Sequence, residues 1–248
     1  MADEDALRAK LERAIRQQAA LLELWSVDHE SFEERVRHVL RSASITLGVE
    51  RVSYWSLAGA PDAIRCEALF VRADERFESG AELANSKYPK YFEALRAGRP
   101  IVATDAHTHP ATSEFSDGYL KPNNIGAMLD VPVYVQGQLA GVVCHEHVGA
   151  ERNWPDDELL FAMSAAQLIS LADESRRRAA AELALRESEA RFRSIVEASP
   201  VPMLVIGFPD GLVRYGNAAA SELVGVPHDS LVGQTTIDYY ANPAERAE

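Results

Sequence analysis

The sequence predicts a mixed α/β chain of the α+β type: an antiparallel sheet with flanking helices, a long helix after it, and a second, partial sheet. Three observations carry this. The apolar period is helical over 3–25 and about 29–47, then changes to two over 51–71 and again over 127–148. From Pro155 it is helical again, and neither Pro nor Gly interrupts 156–198. Beyond Pro200 two short apolar runs flank a Pro-Asp-Gly turn.

In the first helix Leu7, Leu11, Ile15, Leu22 and Trp25 recur near helical spacing with charges between them. In the second, Asp28 is placed to cap the N-terminus, and Val27 and Phe32 form a hydrophobic staple. Phe32, Val36, Val39, Leu40 and Ala43 line one face, and Gly48 stops the helix. RVSYWSL (51–57) and AIRCEALFV (63–71) read as strands joined by the 58–62 turn. A short helix over about 89–97 has Pro89 in its first turn and Gly98 after it, and PIVATD is a short strand. Residues 106–124, rich in His, Pro, Ser, Asp, Gly and Asn, read as a long loop with one or two helical turns; long irregular segments inside compact domains are often functional.

AMLDVPVYV and LAGVVCHEHV form a hairpin around Gln136-Gly137. The helix from 156 begins with Asp156, Asp157 and Glu158, which suits its dipole, and runs about 60 Å at 1.5 Å per residue. Its first half is apolar and packs on the sheet; from Asp173 it is charged and Ala-rich. Leu171, Arg178, Ala181, Leu185, Ser188, Phe192 and Ile195 form a seam that suits a parallel helix pair, against the alternative of a single solvated helix. MLVIGF and LVRYG read as strands, NAAASELVG as a helix, and half a sheet leaves Leu204, Ile206 and Leu223 uncovered.

The 248 residues hold one large domain or two smaller ones, with 47% hydrophobic and 25% charged residues, a globular balance. A formal net charge of −13 opposes a nucleic-acid partner. Two cysteines, Cys66 and Cys144, make no disulfide framework and point to a reducing, cytoplasmic setting. The acidic N-terminus lacks the apolar core of a signal peptide, and no apolar run reaches membrane-spanning length.

LDVPVYVQGQLAGVVCHEHVGAERNWPDDELLFAMSAAQLISLA, with its Val-Pro strand, Gly hairpin, Arg-Asn-Trp corner and closing helix, makes residues 29–172 resemble a GAF domain. EARFRSIVEASPVPMLVI, PDGLVRYGNAAASELVG and the following LVGQ make 189–248 resemble the first half of a PAS domain. The resemblance implies an organisation of N-terminal helix 1–28, GAF sensory domain 29–172, signalling helix 173–198 and partial PAS domain 199–248. It implies a GAF-type antiparallel sheet and a sensory and relay role ahead of a histidine kinase or a nucleotide cyclase. It also suggests a piece of a longer protein.

Strand alternation puts Val143, His145 and His147 on one face of GVVCHEH and Val142, Cys144 and Glu146 on the other. The segment is similar to the Cys-His-His strand of phytochrome GAF domains, and that likeness implies that His145 faces a ligand pocket under 106–124. Bilin attachment is not expected, because Phe115 and Ser116 stand where the family has its Cys-His and the family's Asp-Ile-Pro is missing. The ligand stays unnamed. Tyr88 and Tyr91 are placed to line the pocket, with Tyr119 from the loop and Asp105 at its start; core packing and backbone capping are the plainer roles for such residues. No nucleophile motif or phosphate loop stands out, and no metal site is assigned. Two alternatives remain open. One is a metal-dependent enzyme using His107, His109, His145 and His147. The other is a GAF module that only dimerises. A homodimer through helices 3–25 and 155–198 is expected either way, with no nucleic acid and no membrane in this segment.

Overall fold

The computed structural model describes residues 2–27, 31–57 and 63–235. They form two compact units that meet between Arg177 and Arg178.

The first unit is a sheet between two unlike layers. Helices α1 (Ala2–Ser26) and α2 (Phe32–Leu47) precede strands β1 (Arg51–Leu57) and β2 (Ala63–Val71). Two three-residue strands follow, β3 (Arg76–Glu78) and β4 (Glu82–Ala84), then α3 (Pro89–Arg96) and β5 (Ile101–Ala103). The hairpin β6 (Ile125–Val135) and β7 (Gln138–Val148) leads to α4 (Asp156–Glu197). The sheet order is β3-β2-β1-β7-β6-β5, with β4 also on β2, and every pairing is antiparallel. Strands 51–57 and 63–71 lie where the period of two puts them. β3 and β4 are additions, too short to show a period. The 106–124 segment has a 3-10 turn at Ser113–Phe115 and a π turn at Ser116–Leu120.

The expected cap at Asp28 lies outside the described residues. α2 starts at Phe32 behind Ser31, whose hydroxyl accepts the Glu34 N–H at 3.2 Å. Ser31 does there what Asp28 was expected to do, three residues later. Gly48 ends the helix in the left-handed region at φ 66°, as expected. Gly141 meets a different need. A Cβ there would strike the Trp55 carbonyl and the Tyr54 ring, so close approach of β7 to β1 requires glycine.

On one face of the sheet Val52, Tyr54, Leu129, Val131 and Val143 pack against Leu24 of α1, Val36, Val39 and Leu40 of α2, and Phe161, Ala165 and Ile169 of α4. On the other, Trp55, Cys66, Met128, Val142 and Cys144 pack against Tyr88, Tyr91 and Phe92, and against Phe115 and Leu120 of the 106–124 segment. Arg152 fastens the corner before α4. It donates to the Leu47 carbonyl and to both Glu158 oxygens at 2.8–2.9 Å and stacks on Trp154.

The second unit holds the end of α4, a hairpin of β8 (Leu204–Ile206) and β9 (Val213–Gly216), and helices α5 (Ala218–Val224) and α6 (His228–Leu231). Its small core is Val213, Ala220 and Leu231, with Leu204 partly buried on it; Ile206 and Leu223 are exposed. Asn217 is the hub. Its Oδ1 accepts the N–H groups of Met203 and Ala220, and its Nδ2 donates to the carbonyls of Val196 and Val201, all at 2.9–3.0 Å. Among the described residues no helix is long and apolar enough to cross a membrane.

Candidate functional site

The register of β7 decides which side chains meet the 106–124 segment, and it reverses one expectation. His145 lies opposite Val52 and Leu129, both on the helix-covered face. It is fully buried there, its Nδ1 2.8 Å from the Leu129 carbonyl oxygen. Its Nε2 has no hydrogen-bond partner among the described residues. His145 therefore does not line a pocket under 106–124. Cys144 and Glu146 do. The alternation is as expected; the side is inverted. Val142 and Val143 are equally apolar, so the strand's own sequence does not say which face takes the helices.

The inverted strand creates a chamber. Tyr91 of α3, Phe115 and Tyr119 of the 106–124 segment, Trp55, Ile64 and Met128 of the sheet, and Cys144 and Glu146 enclose a cavity of about 10 Å3. That is room for about one water molecule. The rings pack on one another: Phe115 stands 4.4 Å from Tyr88 and 4.7 Å from Tyr91 between centroids. Tyr88, Tyr91 and Tyr119 are thus brought together, with Tyr88 one ring back from the cavity. Asp105 is not. Its oxygens accept the His107 N–H at 2.9 Å and the Thr108 hydroxyl at 2.7 Å, which caps the turn that opens the segment.

Two carboxylates sit inside this otherwise apolar layer. Glu146 accepts from Arg51 Nε at 2.8 Å and from the Tyr119 hydroxyl at 2.7 Å, and both charged side chains are nearly shut from solvent. Asp130 is fully buried on β6 and accepts the Tyr91 hydroxyl at 2.7 Å; its Oδ1 has no partner among the described residues. Burial, and then the neighbouring Glu146 charge, push the Asp130 carboxyl up to about 7 against the pull of the Tyr91 hydrogen bond. Glu146 is also raised by burial, in part offset by Arg51. Burial raises the Cys144 thiol, and Asp130 raises it further. On the other face, burial holds His145 down to about 4.

Sequence reasoning missed Asp130, Glu146 and Arg51 as a group. The available signal was an acidic residue inside each of two apolar strands, LDVPV and VVCHEH. Arg51 was hidden because its pairing with Glu146 spans 95 positions.

The four-histidine alternative does not survive. His107 Nδ1 is bonded to Ser116 Oγ at 2.8 Å, His109 Nδ1 accepts the Ala111 N–H, and His147 Nδ1 lies 3.0 Å from Glu50. His145 is sealed on the opposite face. Among the described residues no group of three or more His, Cys, Asp or Glu is arranged to hold a metal ion. Nor do the residues fit covalent bilin attachment: the buried Phe115 ring occupies the relevant position, and Cys144 lies beneath Tyr91.

The first unit is thus an antiparallel sheet with helices on one face and, on the other, an irregular segment over an aromatic-lined cavity. Comparison with known families agrees: the GAF domain matches residues 31–172 and the PAS fold matches 190–248. The chain belongs to the GAF domain family, and both matched domains are sensory and signalling domains. Similar solved structures include the GAF domain of a Coxiella burnetii phosphoenolpyruvate-protein phosphotransferase (16% identity, TM-score 0.53, covering 68% of this chain and 98% of that one). Another is the free methionine-R-sulfoxide reductase of Neisseria meningitidis in complex with its substrate (15%, 0.53, 67% and 93%). A third is the phycocyanobilin-bound GAF domain of a cyanobacterial phytochrome (17%, 0.52, 64% and 94%). At these identities the likeness concerns the fold. No curated protein matches the chain.

Proposed function

We propose that this chain is the sensory and relay region of a cytoplasmic signal-transduction protein. A small molecule or partner engages the GAF chamber, the packing of α4 on the sheet shifts, and the bias passes through α4 to the PAS fold. An output domain, a histidine kinase or a nucleotide cyclase, reads it. The observation that carries this reading is the chamber itself: aromatic walls around one buried carboxylate, Glu146, with a second buried carboxylate, Asp130, hydrogen-bonded to the Tyr91 of its wall. α4 supplies the route, because Phe161, Ala165 and Ile169 pack on the same sheet whose other face floors the chamber. A thermal-shift screen of small polar compounds tests it, with Met128→Trp as a variant that fills the cavity. Binding should raise the melting temperature of the native chain only, and should change hydrogen exchange in 156–177. A screen with no hit that Met128→Trp removes counts against the reading.

The chain also acts as a homodimer in this proposal. Leu7, Leu11, Ile15, Leu22 and Trp25 leave an exposed apolar stripe on α1, and Leu160, Met163 and Leu171 leave one on α4. Such stripes are the feature that favours a purely dimerising module as the second reading. Sedimentation at micromolar concentrations decides the matter: a dimer that Leu22→Glu dissociates supports the pairing, and a native monomer removes it.

A further inference from the structure

The chamber is filled by the protein's own ring. Phe115 is buried and stands 4.4 Å from Tyr88, 4.7 Å from Tyr91 and 6.2 Å from Tyr119 between centroids, so three tyrosines form a slot around it. The cavity of about 10 Å3 is the rest of the same space, since Tyr91, Phe115 and Tyr119 all line it. Phe115 is carried by a short piece of irregular chain. Neither the 3-10 turn Ser113–Phe115 nor the π turn Ser116–Leu120 has a side-chain cap, and single turns of these kinds hold less firmly than an α-helix. Glu114 fastens the turn from outside. Its carboxylate accepts the N–H groups of Lys90 at 2.9 Å and Tyr91 at 3.4 Å in the first turn of α3, whose own N-cap residue, Tyr88, makes no capping bond.

The mouth of the slot carries uncommitted donors. Among the described residues the Tyr88 hydroxyl has no hydrogen bond, and the Lys87 ammonium has neither a hydrogen bond nor an ion pair, only the Tyr88 ring at 5.3 Å. The two meet beside Gly118. A Cβ there would lie 3.9 Å from the Tyr88 hydroxyl oxygen and 4.0 Å from Lys87 Nζ, with no other atom within 4 Å beyond its chain neighbours. The carboxylates of the segment are already held, Asp117 by Lys121 at 2.6 Å and Glu114 by α3. Tyr88 joins slot and mouth, because its ring packs on Phe115 and its hydroxyl lies beside Gly118. Aromatic walls select a planar ring. An ammonium and a hydroxyl with no acceptor select an acceptor, and a charged one is held most strongly.

Taking the chamber as the ligand site proposed above, we infer that its ligand is a small single-ring aromatic carboxylate. The ring displaces Phe115 from between Tyr88 and Tyr91, and the carboxylate is received by Lys87 Nζ and the Tyr88 hydroxyl. Phe115 is then a plug, and Glu114 is the positioning residue that keeps it in place. Affinity is reduced by the fraction of chains in which the plug is out, so loosening the plug tightens binding.

The test is thermal unfolding of the full chain titrated with sodium phenylacetate, against sodium chloride at equal ionic strength. Benzyl alcohol serves as the neutral ring and sodium acetate as the acid without a ring. A saturable rise with phenylacetate, about tenfold weaker binding of benzyl alcohol, and no response to acetate support the site. Lys87→Ala should weaken phenylacetate about tenfold, and Glu114→Gln should tighten it about tenfold. An affinity that neither substitution alters overturns the proposal. In case the variants fold poorly, the native chain is read by nuclear Overhauser contacts. A contact between the phenylacetate ring and the Met128 methyl group supports the proposal, and the lack of one at saturating phenylacetate overturns it. Compounds without a ring that bind and are excluded by Met128→Trp would leave the chamber reading standing and remove the aromatic acid. Silence from every compound would remove both.

Discussion

The two faces of the central sheet bury the same strands in opposite ways. Toward α2 and α4 the layer mixes aliphatic side chains with Tyr54, Phe70 and Phe161, and it buries the neutral imidazole of His145. Toward α3 and the 106–124 segment the layer is aromatic and holds Arg51, Glu146 and Asp130. The helix side also buries carboxylates, Glu158 and Asp173, but each is paired with arginine near the edge of the layer. Buried ion pairs are weak contributors to stability compared with apolar packing of equal volume. The difference teaches that the helix face is packed chiefly by apolar side chains, while the other face carries the charged pair and the cavity. Both depend on one strand, β7, whose alternate residues serve the two layers.

The largest effect should come from breaking the charged layer. Arg51→Ala leaves Glu146 buried beside Tyr119 with no cation. Removing one partner of a buried pair costs about 3–5 kcal/mol. Urea unfolding at pH 7 should show a loss of that size. A loss below about 1 kcal/mol would mean that solvent reaches Glu146, and the contrast between the faces would weaken.

Next in size are the pH slopes, which have opposite signs on the two faces. Asp130 titrates at about 7 when folded, well above the ordinary carboxylate value of 3.8. The folded state therefore binds the extra proton, and this group removes stability as pH rises from about 4 to 7, by about 4 kcal/mol at most. His145 titrates at about 4 when folded and 6.5 in its ordinary state. There the unfolded state binds the extra proton, so this group adds stability as pH rises from about 4 to 6.5, by about 3 kcal/mol. In the native chain the two largely cancel. Asp130→Asn should expose the His145 slope, with stability rising toward neutral pH more steeply than in the native chain. Parallel native and variant profiles from pH 4 to 7.5 would show that Asp130 stays ionised throughout.

How much of this was legible follows from the physics of each element. β1, β2 and the β6–β7 hairpin were readable because half-buried strands alternate and Gln136-Gly137 supplies the two positive φ values of a tight turn. α4 was readable from the missing Pro and Gly. The face assignment was not. In GVVCHEH both Val142 and Val143 are fully buried, and so are Cys144, His145 and Glu146, nearly or completely. A strand buried on both sides carries no mark of which side is which. That Tyr88, Tyr91 and Tyr119 cluster was legible because aromatic residues on a short helix and a long loop have few places to go. Asp130 was passed over because its partner Tyr91 is 39 positions away and no local pattern joins them.

The smallest expected change carries the sharpest reading of the comparison. His145→Leu swaps an imidazole for an aliphatic chain in a largely apolar layer. It removes the contact to the Leu129 carbonyl, worth about 1 kcal/mol, and it also removes a buried nitrogen that has no partner. The added apolar burial works in the other direction. At pH 7 the sum should lie within about 1 kcal/mol of zero. At pH 5 the variant should be the more stable protein by about 2 kcal/mol, because the unfolded native chain gains a proton that leucine cannot take. Ligand binding in the chamber should be unchanged, since the residue lies on the far side of the sheet. Urea titrations at the two pH values, run beside the thermal-shift assay, give all three readings. If His145→Leu abolishes binding while leaving stability intact, the two faces are not separate in function, and the signal crosses the sheet at β7 itself.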